Sequence, residues 1–329
     1  AAVSEDRMRF GILGNAKIAR TQLIPAILEA GHTVTVIGSR GEANPWTGAP
    51  ACRWTDYDGV LNAPDIDAVY IALPNHLHAN WSVKALRANK HVLCEKPYAL
   101  SLTEITAVRD AMTASGRCFM EGFMVRHHPQ WQWLATQPVG DVRQVQVVFN
   151  YNNQNPDNIR NHADMGGGAM WDIGCYAVFA GHWLMGRAPD HVTLNTERHP
   201  DWGVDIHSHG LLRWASQDAT PSASLQFSVS MQTAKSQSVH IAGTQGWVQL
   251  HAPFNPAHGN VANPVHATAT WAPEGGLHHE AMDHTFEPCN AYARMVEDFV
   301  HTATHDPASG IRDSEAIART TLRLLESAR

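Results

Sequence analysis

Short apolar runs alternate with stretches of helical period in the first third of the chain. The helical stretches have recognisable ends: one spans residues 15–30, and another begins at a capping box of Ser101 and Glu104 and ends at Gly116. Apolar strands that alternate with helices form βαβ units, which predicts a parallel sheet. The apolar runs cover residues 9–13, 34–38, 68–72, 91–94 and 118–121.

The pattern changes after Phe123. Two segments, 145–151 and 225–231, alternate apolar and polar residues, which predicts strands of an antiparallel sheet with one apolar face. Two helices are predicted at the end, over residues 290–302 and 314–329. The predicted fold class is therefore α/β: an N-terminal domain with a parallel sheet over residues 1–121, then an α+β domain with a large open antiparallel sheet over residues 122–329.

Composition and charge limit the kinds of protein that this chain could be. The chain has 329 residues, 44% hydrophobic and 17% charged, which is typical of a globular protein of about two domains. Lys and Arg number 24 against 31 Asp and Glu, so the net charge of −7 disfavours nucleic acid as a partner. The apolar stretch 168–186 contains Asp172 and His182, which favours a buried helix over a membrane span.

Cysteine and histidine spacing indicates no metal site. The five cysteines are widely spaced without a C-x-x-C pair, which argues against a disulfide framework or a thiolate zinc site. The H-x-H pairs at residues 76–78 and 207–209 lack a third ligand at zinc spacing. The chain starts at Ala1, which fits a cleaved export signal and a periplasmic protein, or else a cytoplasmic one, so the compartment stays open.

The loop after the first apolar run has the pattern G-x-A-x-x-A, where a Rossmann fingerprint has G-x-G-x-x-G/A. Gly14 permits the tight turn, Ala16 is small enough for a pyrophosphate to approach, and Ala19 allows close helix packing. The loop therefore predicts a dinucleotide site in a Rossmann domain. Its contact residues would be Gly14, Asn15, Ala16, Lys17 and Ile18.

The end of the second apolar run indicates which dinucleotide is bound. An enzyme that uses NAD usually has an acid there for the ribose 2′-hydroxyl, but this chain has Ser39 and Arg40. A guanidinium pairs with a 2′-phosphate, whereas a carboxylate repels it. The pair favours NADP, and an ordinary solvated arginine at a strand end is the alternative.

Five motifs in order resemble the family of glucose-fructose oxidoreductase, inositol dehydrogenase and the rhizopine-catabolism protein, written Gfo/Idh/MocA. The resemblance covers essentially the whole chain from Met8 onward. Besides the Gly14 loop, the motifs are Pro74-Asn75-x-x-His78, Glu95-Lys96-Pro97, the segment from Met120 to Arg126 and Pro129, and Gly166-Gly-Gly-Ala-Met-Trp-Asp172-Ile-Gly174-Cys-Tyr176.

The resemblance implies a Rossmann domain, a second domain with an open antiparallel sheet, and hydride transfer between a nicotinamide and a sugar or polyol. It also implies a homodimer joined through that sheet. Tyr176 stands where the inositol branch usually has His, which favours the branch of glucose-fructose oxidoreductase, aldose dehydrogenases, 1,5-anhydrofructose reductase and dihydrodiol dehydrogenase. Further cofactor contacts implied by the resemblance are Pro74, Asn75, His78, Glu95, Lys96 and Arg126.

Asp172 and Tyr176 are four residues apart in a predicted helix, so both side chains should project from one face. Tyrosine has a pKa near 10 and is a poor base unless a cation favours its ionised form, and Lys96 would supply that cation. Asp172 would hold a substrate hydroxyl or orient Lys96. Arg160, in an amide-rich loop, would contact sugar hydroxyls or else be a solvated loop residue. An X-Pro bond makes a cis Lys96–Pro97 peptide plausible.

These residues predict an NADP-dependent oxidoreductase that oxidises an aldose at C1 to the lactone, or reduces a sugar carbonyl in reverse. The enzyme alternatives are a trans-dihydrodiol dehydrogenase and a 1,5-anhydrofructose-type reductase. A further alternative is an aldose–aldose or glucose–fructose oxidoreductase that keeps NADP(H) tightly bound through its cycle. An NADP-binding regulator is the non-enzyme alternative, and the presence of Lys96, Asp172 and Tyr176 together argues against it. Expected partners are a small sugar and a second copy of the chain, without a membrane.

Overall fold

The computed structural model describes residues 7–136, 138–256 and 266–328. Residues 1–3, on which the export-signal expectation rests, lie outside the described residues. The chain divides into two units. The first comprises Ala1–Met124 with Asn290–Glu315, and the second comprises Val125–Cys289 with Ala316–Arg329.

The first unit contains a six-stranded parallel sheet in the order β3-β2-β1-β4-β5-β6, which is the order of a Rossmann domain. The parallel sheet predicted from the apolar runs is confirmed. The pattern missed β3 because this strand has three residues and none of them is buried. The strands are β1 (Arg9–Leu13), β2 (Thr33–Gly38), β3 (Arg53–Thr55), β4 (Ala68–Ile71), β5 (His91–Cys94) and β6 (Phe119–Glu121).

The second unit contains an eight-stranded sheet in the order β14-β13-β12-β11-β7-β10-β9-β8. Its strands are β7 (Val142–Asn152), β8 (His191–Arg198), β9 (Asp205–Trp214), β10 (Ala223–Ser230), β11 (Gln232–Gly243), β12 (Trp247–Leu250), β13 (Thr268–Ala272) and β14 (Met282–Thr285). The expected apolar face is present, since Val145, Val147 and Phe227 are buried.

One pairing in this sheet differs from the antiparallel expectation. Strands β7 and β10 run parallel, with Leu225 opposite Val145, while their other neighbours are antiparallel. A parallel pair requires a long crossover, and the chain between β7 and β10 supplies one with a helix and two further strands. Alternation along each strand reveals which face is apolar but not the direction of its partner.

The helices begin and end close to the predicted positions. Ser101 caps one of them by accepting a hydrogen bond from the amide of Glu104 at 3.2 Å, and Gly116 ends it with φ of +66°. The helices are α1 (Ile24–Glu29), α2 (Tyr57–Leu61), α3 (His78–Arg87), α4 (Leu102–Ser115), α5 (Pro129–Leu134), α6 (Cys175–Met185), α7 (Ala291–His305) and α8 (Ser314–Ser327).

The apolar stretch 168–186 forms the buried helix that the sequence predicts, because α6 lies within it and residues 175–182 are all buried. The helix does not begin as an α-helix. Residues Met170–Gly174 form a π-helical turn that leads into α6, and Ala19–Leu23 form a similar turn before α1. Within the described ranges, no helix is long and apolar enough to span a bilayer.

Candidate active site

The predicted phosphate loop starts at a glycine that no other residue could replace without strain. Gly14 follows β1, its φ is +104°, and its amide donates to the carbonyl oxygen of Gly38 at the end of β2 over 3.0 Å. A Cβ atom here would lie 2.6 Å from the carbonyl oxygen of Ala72 after β4. The loop is therefore held against the ends of both neighbouring strands, with a left-handed backbone that favours glycine.

Two buried polar atoms beside this loop have no hydrogen-bond partner among the described residues: Oδ1 of Asn15 and Nδ1 of His76. They follow β1 and β4, which are adjacent strands at the point where the strand order reverses. Buried polar atoms without partners are costly unless a ligand or water satisfies them. Together with the absence of room for a Cβ at Gly14, this arrangement fits a dinucleotide bound at the switch point.

The end of β2 presents the pair predicted to select the cofactor. The amide of Ser39 donates to the carbonyl oxygen of Thr55 at 3.0 Å, and its hydroxyl donates to the carbonyl oxygen of Gly41 at 2.9 Å. Arg40 is exposed. Burial raises the pKa of nearby Tyr57, and the positive charge of Arg40 partly opposes that rise.

His78 was predicted as a cofactor contact, and the structure engages both of its ring nitrogens elsewhere. Nδ1 lies 2.7 Å from the carbonyl oxygen of Pro97, and Nε2 lies 2.7 Å from the carbonyl oxygen of Leu73. The side chain is 1% exposed, and burial lowers its pKa to about 4. The neutral ring donates a hydrogen bond to one of these two oxygens, and it lies between the turn after β4 and the turn after β5, which carries Lys96.

Glu95, in the turn after β5, accepts a hydrogen bond from a tyrosine of the neighbouring strand β4. The hydroxyl of Tyr70 donates to Oε1 of Glu95 at 2.7 Å, and burial together with this carboxylate raises the pKa of Tyr70. The Lys96–Pro97 peptide that follows is cis, as the sequence suggested. The hydrogen bond from Tyr70 therefore fixes the side chain of Glu95, which directly precedes Lys96.

In the second unit, the carboxylate of Asp172 accepts two hydrogen bonds on the same oxygen. The hydroxyl of Tyr151 lies 2.5 Å from Oδ2 and Nε of Arg160 lies 3.0 Å from it. The negative charge of Asp172 raises the pKa of Arg160, while burial and then that same charge raise the pKa of Tyr151. Arg160 thus stays cationic and Tyr151 stays protonated, and both hold the carboxylate in place.

The glycine run before Asp172 explains how Arg160 reaches it. The amide of Gly168 donates to the carbonyl oxygen of Arg160 at 2.9 Å, and a Cβ at Gly167 would lie 2.4 Å from that oxygen. Buried Asp205 accepts from the amide of Met170 at 2.7 Å, and a Cβ at Gly168 would lie 2.1 Å from its Oδ1. The loop of Arg160 therefore packs directly against the start of the π-helical turn.

Tyr176 lies one helical turn beyond Asp172 and is 5% exposed. Its ring packs against Phe149 and Phe254, with centroid distances of 5.4 Å and 5.3 Å. Two further aromatic rings of α6 hold Arg126, whose guanidinium lies 5.1 Å from the ring centroid of Phe179. The π-helical turn between Asp172 and the start of α6 is a feature that hydrophobic periodicity did not predict.

The predicted site residues fall into two groups. The loops after β1, β2, β4 and β5 bring the predicted cofactor residues other than Arg126 to one edge of the parallel sheet, because the carboxyl ends of parallel strands share an edge. Arg126 belongs to the second unit. In the second unit, Asp172 lies in the π-helical turn before α6, Tyr176 lies in the first turn of α6, and Arg160 contacts Asp172 from the preceding loop. These assignments as contact and catalytic residues remain predictions.

Sequence reasoning missed the parts played by two polar residues, Tyr151 and Asp205, and it considered His76 only as one member of an H-x-H pair. Tyr151 was assigned only to the apolar face of its strand, although a hydroxyl at the end of such a face is a usable signal. Asp205 carried no local signal, because its partner lies 35 residues earlier. Within the described ranges, no group of three or more His, Cys, Asp or Glu side chains could hold a metal ion.

Comparison with known protein families identifies both domains. Residues 8–123 match an oxidoreductase family with an NAD-binding Rossmann fold, and residues 131–249 match the GFO/IDH/MocA C-terminal domain. The chain belongs to the Gfo/Idh/MocA family. The resemblance, the fold class and the oxidoreductase assignment derived from the sequence are thereby confirmed.

Known members of the family resemble this one along most of its length. It is 34% identical to D-xylose 1-dehydrogenase (NADP(+)) 2 of Haloferax volcanii, over 98% of this chain and 97% of that protein. It is 32% identical to dTDP-3,4-didehydro-2,6-dideoxy-α-D-glucose 3-reductase of Streptomyces violaceoruber, over 77% and 75%. The crystal structure of a 3-ketoreductase from Actinomadura kijaniata, in complex with NADP and TDP-benzene, superposes with a TM-score of 0.87 and 26% identity, over 98% of both chains.

Proposed function

We propose that this protein is an NADP-dependent dehydrogenase that oxidises an aldose at C1 to the lactone. The observation that carries the proposal is the polar cluster at Asp172, one helical turn from Tyr176, in a chain of this family. An ionised carboxylate accepts hydrogen bonds, and the hydroxyl groups of a sugar donate them. A D-xylose 1-dehydrogenase that aligns with 98% of the chain supports the same class of substrate.

Each polar residue has a distinct part in this reaction. The nicotinamide, when bound, accepts hydride in the oxidation. Tyr176 takes the proton of the C1 hydroxyl, Lys96 is the cation that favours the ionised tyrosine, and Asp172 binds a neighbouring substrate hydroxyl. The packing of Phe149 and Phe254 around Tyr176 fixes its ring and excludes water from it. The assignment of Lys96 rests on the family resemblance.

NADP is the cofactor in this proposal. Ser39 and exposed Arg40 follow β2, where an acidic residue would otherwise accept the ribose 2′-hydroxyl. Arginine is suited to a phosphate because it donates two parallel hydrogen bonds to its oxygens. The NADP-dependent relative from Haloferax volcanii and the NADP complex of the 3-ketoreductase agree with this choice.

The direct test is to incubate the purified protein with NADP and single aldoses, beginning with D-xylose and D-glucose, and to follow the near-ultraviolet absorbance of NADPH. The expected result is NADPH formation with an equal amount of lactone, and a much lower rate with NAD. If NADP binds but none of the aldoses is oxidised, the assigned reaction is wrong.

The second candidate is reduction of the keto group of a nucleotide-linked sugar. It is favoured by the similarity to the dTDP-sugar 3-reductase and to the 3-ketoreductase in complex with TDP-benzene. The two candidates separate in a competition experiment, in which thymidine diphosphate is added to the aldose assay. Inhibition at micromolar concentration would favour a nucleotide-sugar reductase, whereas an unchanged rate would favour a free aldose.

A further inference from the structure

Arg160 uses only part of its guanidinium to hold Asp172. Nε donates to Oδ2 of Asp172, whereas the two terminal nitrogens have no hydrogen-bond partner in the part of the chain that the structure describes. The side chain is 45% exposed, while that of Asp172 is 13% exposed. Because Nε is tethered and the guanidinium is planar, the terminal nitrogens form a fork of fixed direction beside the carboxylate.

The backbone of Arg160 forms hydrogen bonds through both its carbonyl oxygen and its amide. The carbonyl oxygen of Arg160 accepts the amide of Gly168, and its amide donates to the side chain of Asn158 at 3.0 Å. The backbone is thereby fastened to the same helix start that carries Asp172. A donor pair that is positioned before the ligand arrives loses little conformational entropy on binding, so it discriminates well between ligands.

The charge around the fork favours a neutral ligand. The positive charge of Arg160 is compensated by the carboxylate of Asp172 at 3.0 Å, so the pair has no net charge. A phosphate bound at the terminal nitrogens would gain attraction from Arg160 but would be repelled by Asp172 nearby. Two hydroxyl oxygens accept the same hydrogen bonds without that repulsion.

We propose that Arg160 determines substrate specificity by donating to two adjacent hydroxyl oxygens of an uncharged sugar, at a subsite that gains no affinity from a phosphate group. The proposal rests on the assignment of the protein as an aldose dehydrogenase and identifies which aldoses it accepts. Tyr151 contributes indirectly, since it holds the carboxylate that tethers the fork.

Binding to the NADPH-loaded protein is the test, because an aldose and the reduced cofactor form a dead-end complex that does not turn over. The dissociation constants of D-glucose, 2-deoxy-D-glucose, 3-deoxy-D-glucose and D-glucose 6-phosphate are measured by calorimetry for the wild type and for Arg160→Gln. Arg160→Lys, which keeps the charge but not the fork, is the second variant. Arg87→Gln, at an exposed position near the end of α3, makes the same chemical change away from the site and is the matched control.

The wild type should bind D-glucose about 10-fold or more tightly than at least one deoxy sugar, as expected for loss of a hydrogen bond to a charged group. In Arg160→Gln and Arg160→Lys this difference should disappear, with unchanged NADP affinity, and Arg87→Gln should behave as the wild type. Glucose 6-phosphate should bind no more tightly than glucose.

Three results would overturn the proposal: equal wild-type affinity for all three neutral sugars, full discrimination in Arg160→Gln, or tighter binding of the phosphate that is lost in Arg160→Gln. The last would make the fork an anion site. Failure of the proposed reaction has a different signature. Discriminating binding without NADPH formation would refute the aldose dehydrogenase assignment and leave the role of Arg160 standing.

Discussion

The hydroxyl of Tyr151 donates a hydrogen bond to Oδ2 of Asp172, with 2.5 Å between the two oxygens. Tyr151 lies near the end of β7 and Asp172 lies in the π-helical turn before α6, so the bond connects the sheet of the second unit to its buried helix. Burial and the neighbouring carboxylate raise the pKa of Tyr151, and it therefore remains a donor at neutral pH.

Tyr151→Phe should reduce turnover without weakening NADP binding. The substitution removes one of the two hydrogen bonds that Oδ2 of Asp172 accepts from Tyr151 and Arg160. A hydrogen bond to a charged group contributes about 1.5 to 3 kcal/mol, so a fall in kcat/KM of roughly 10- to 100-fold is expected. Steady-state kinetics and NADP titration measure the two effects, and an unchanged kcat/KM would show that Arg160 suffices.

Tyr176→Phe should keep the fold and the NADP affinity, because it removes one oxygen from a ring packed between Phe149 and Phe254. If Tyr176 is the acid/base, turnover should fall by roughly 100- to 10,000-fold, the usual contribution of general acid–base catalysis. A rate within about three-fold of the wild type would instead make Tyr176 a packing residue.

Lys96→Met tests the cation assigned to Tyr176 by the resemblance. Turnover should fall. The pH at which the remaining activity increases should move to a higher value, because a tyrosine without a neighbouring cation ionises less readily. The pH profile of kcat over the alkaline range measures this. A lower rate with the limb in its original position would assign Lys96 to substrate binding alone.

Arg40→Ala should weaken NADP and leave NAD nearly unchanged. The guanidinium would lose its charge-assisted contact with the 2′-phosphate, which is worth about 1.5 to 3 kcal/mol, or on the order of ten-fold or more in affinity. Titration of both cofactors against the variant is the measurement. Equal losses for NADP and NAD would contradict the 2′-phosphate assignment.

Burial of His78 predicts a loss of stability in mild acid. Its pKa is about 4 in the folded protein, below the ordinary value of 6.5, so the unfolded chain binds more protons between these pH values and stability falls as pH drops from 6.5 to 4. From pH 7 to pH 5 the loss is about 2 kcal/mol. His78→Asn should abolish that part of the pH dependence, whereas His301→Asn at an exposed position should not.

Denaturant unfolding of the three proteins at pH 7 and pH 5 measures the difference. His91, whose pKa is also lowered to about 4 by burial, leaves a residual pH dependence in every variant. The same slope in His78→Asn as in the wild type would show that His78 does not titrate in this window.

The chain should form a homodimer through the outer face of the second unit's sheet. That face is polar for the most part but includes half-buried Val148 and Leu211, while the inner positions beside them are fully apolar. Light scattering at micromolar concentration should report twice the monomer mass, and Leu211→Glu should shift it to the monomer. A monomer mass for the wild type would refute the expectation.

Hydrophobic periodicity determined much of the first unit. Five of the six parallel strands coincide with apolar runs, because strands buried on both faces need apolar side chains throughout. Glycines marked the ends of helices and tight turns in the same predictable way. Gly116 and Gly14 adopt positive φ, which only a residue without Cβ accepts at low cost. Strand β3, with no buried residue, had no such pattern.

The candidate site was predictable where its residues are close in sequence. Asp172 and Tyr176 are four residues apart, and Ser39 with Arg40 follows a predicted strand, so the sequence places the members of each pair close together, while their roles stay predictions. The partners of Asp172 were decided by tertiary structure, since Tyr151 comes from another element 21 residues away. Arg160 lies in a loop, and its position beside Asp172 depends on the hydrogen bond that the amide of Gly168 donates to its carbonyl oxygen.

The role of His78 shows the same division between sequence and structure. Its place in the Pro74-Asn75-x-x-His78 motif indicated that the residue matters, but only folding brought the carbonyl oxygens of Leu73 and Pro97 to opposite sides of its ring. Periodicity and spacing report interactions between residues one or two turns apart. Hydrogen bonds between separate strands and loops depend on how those elements pack, and that information is distributed over the whole chain.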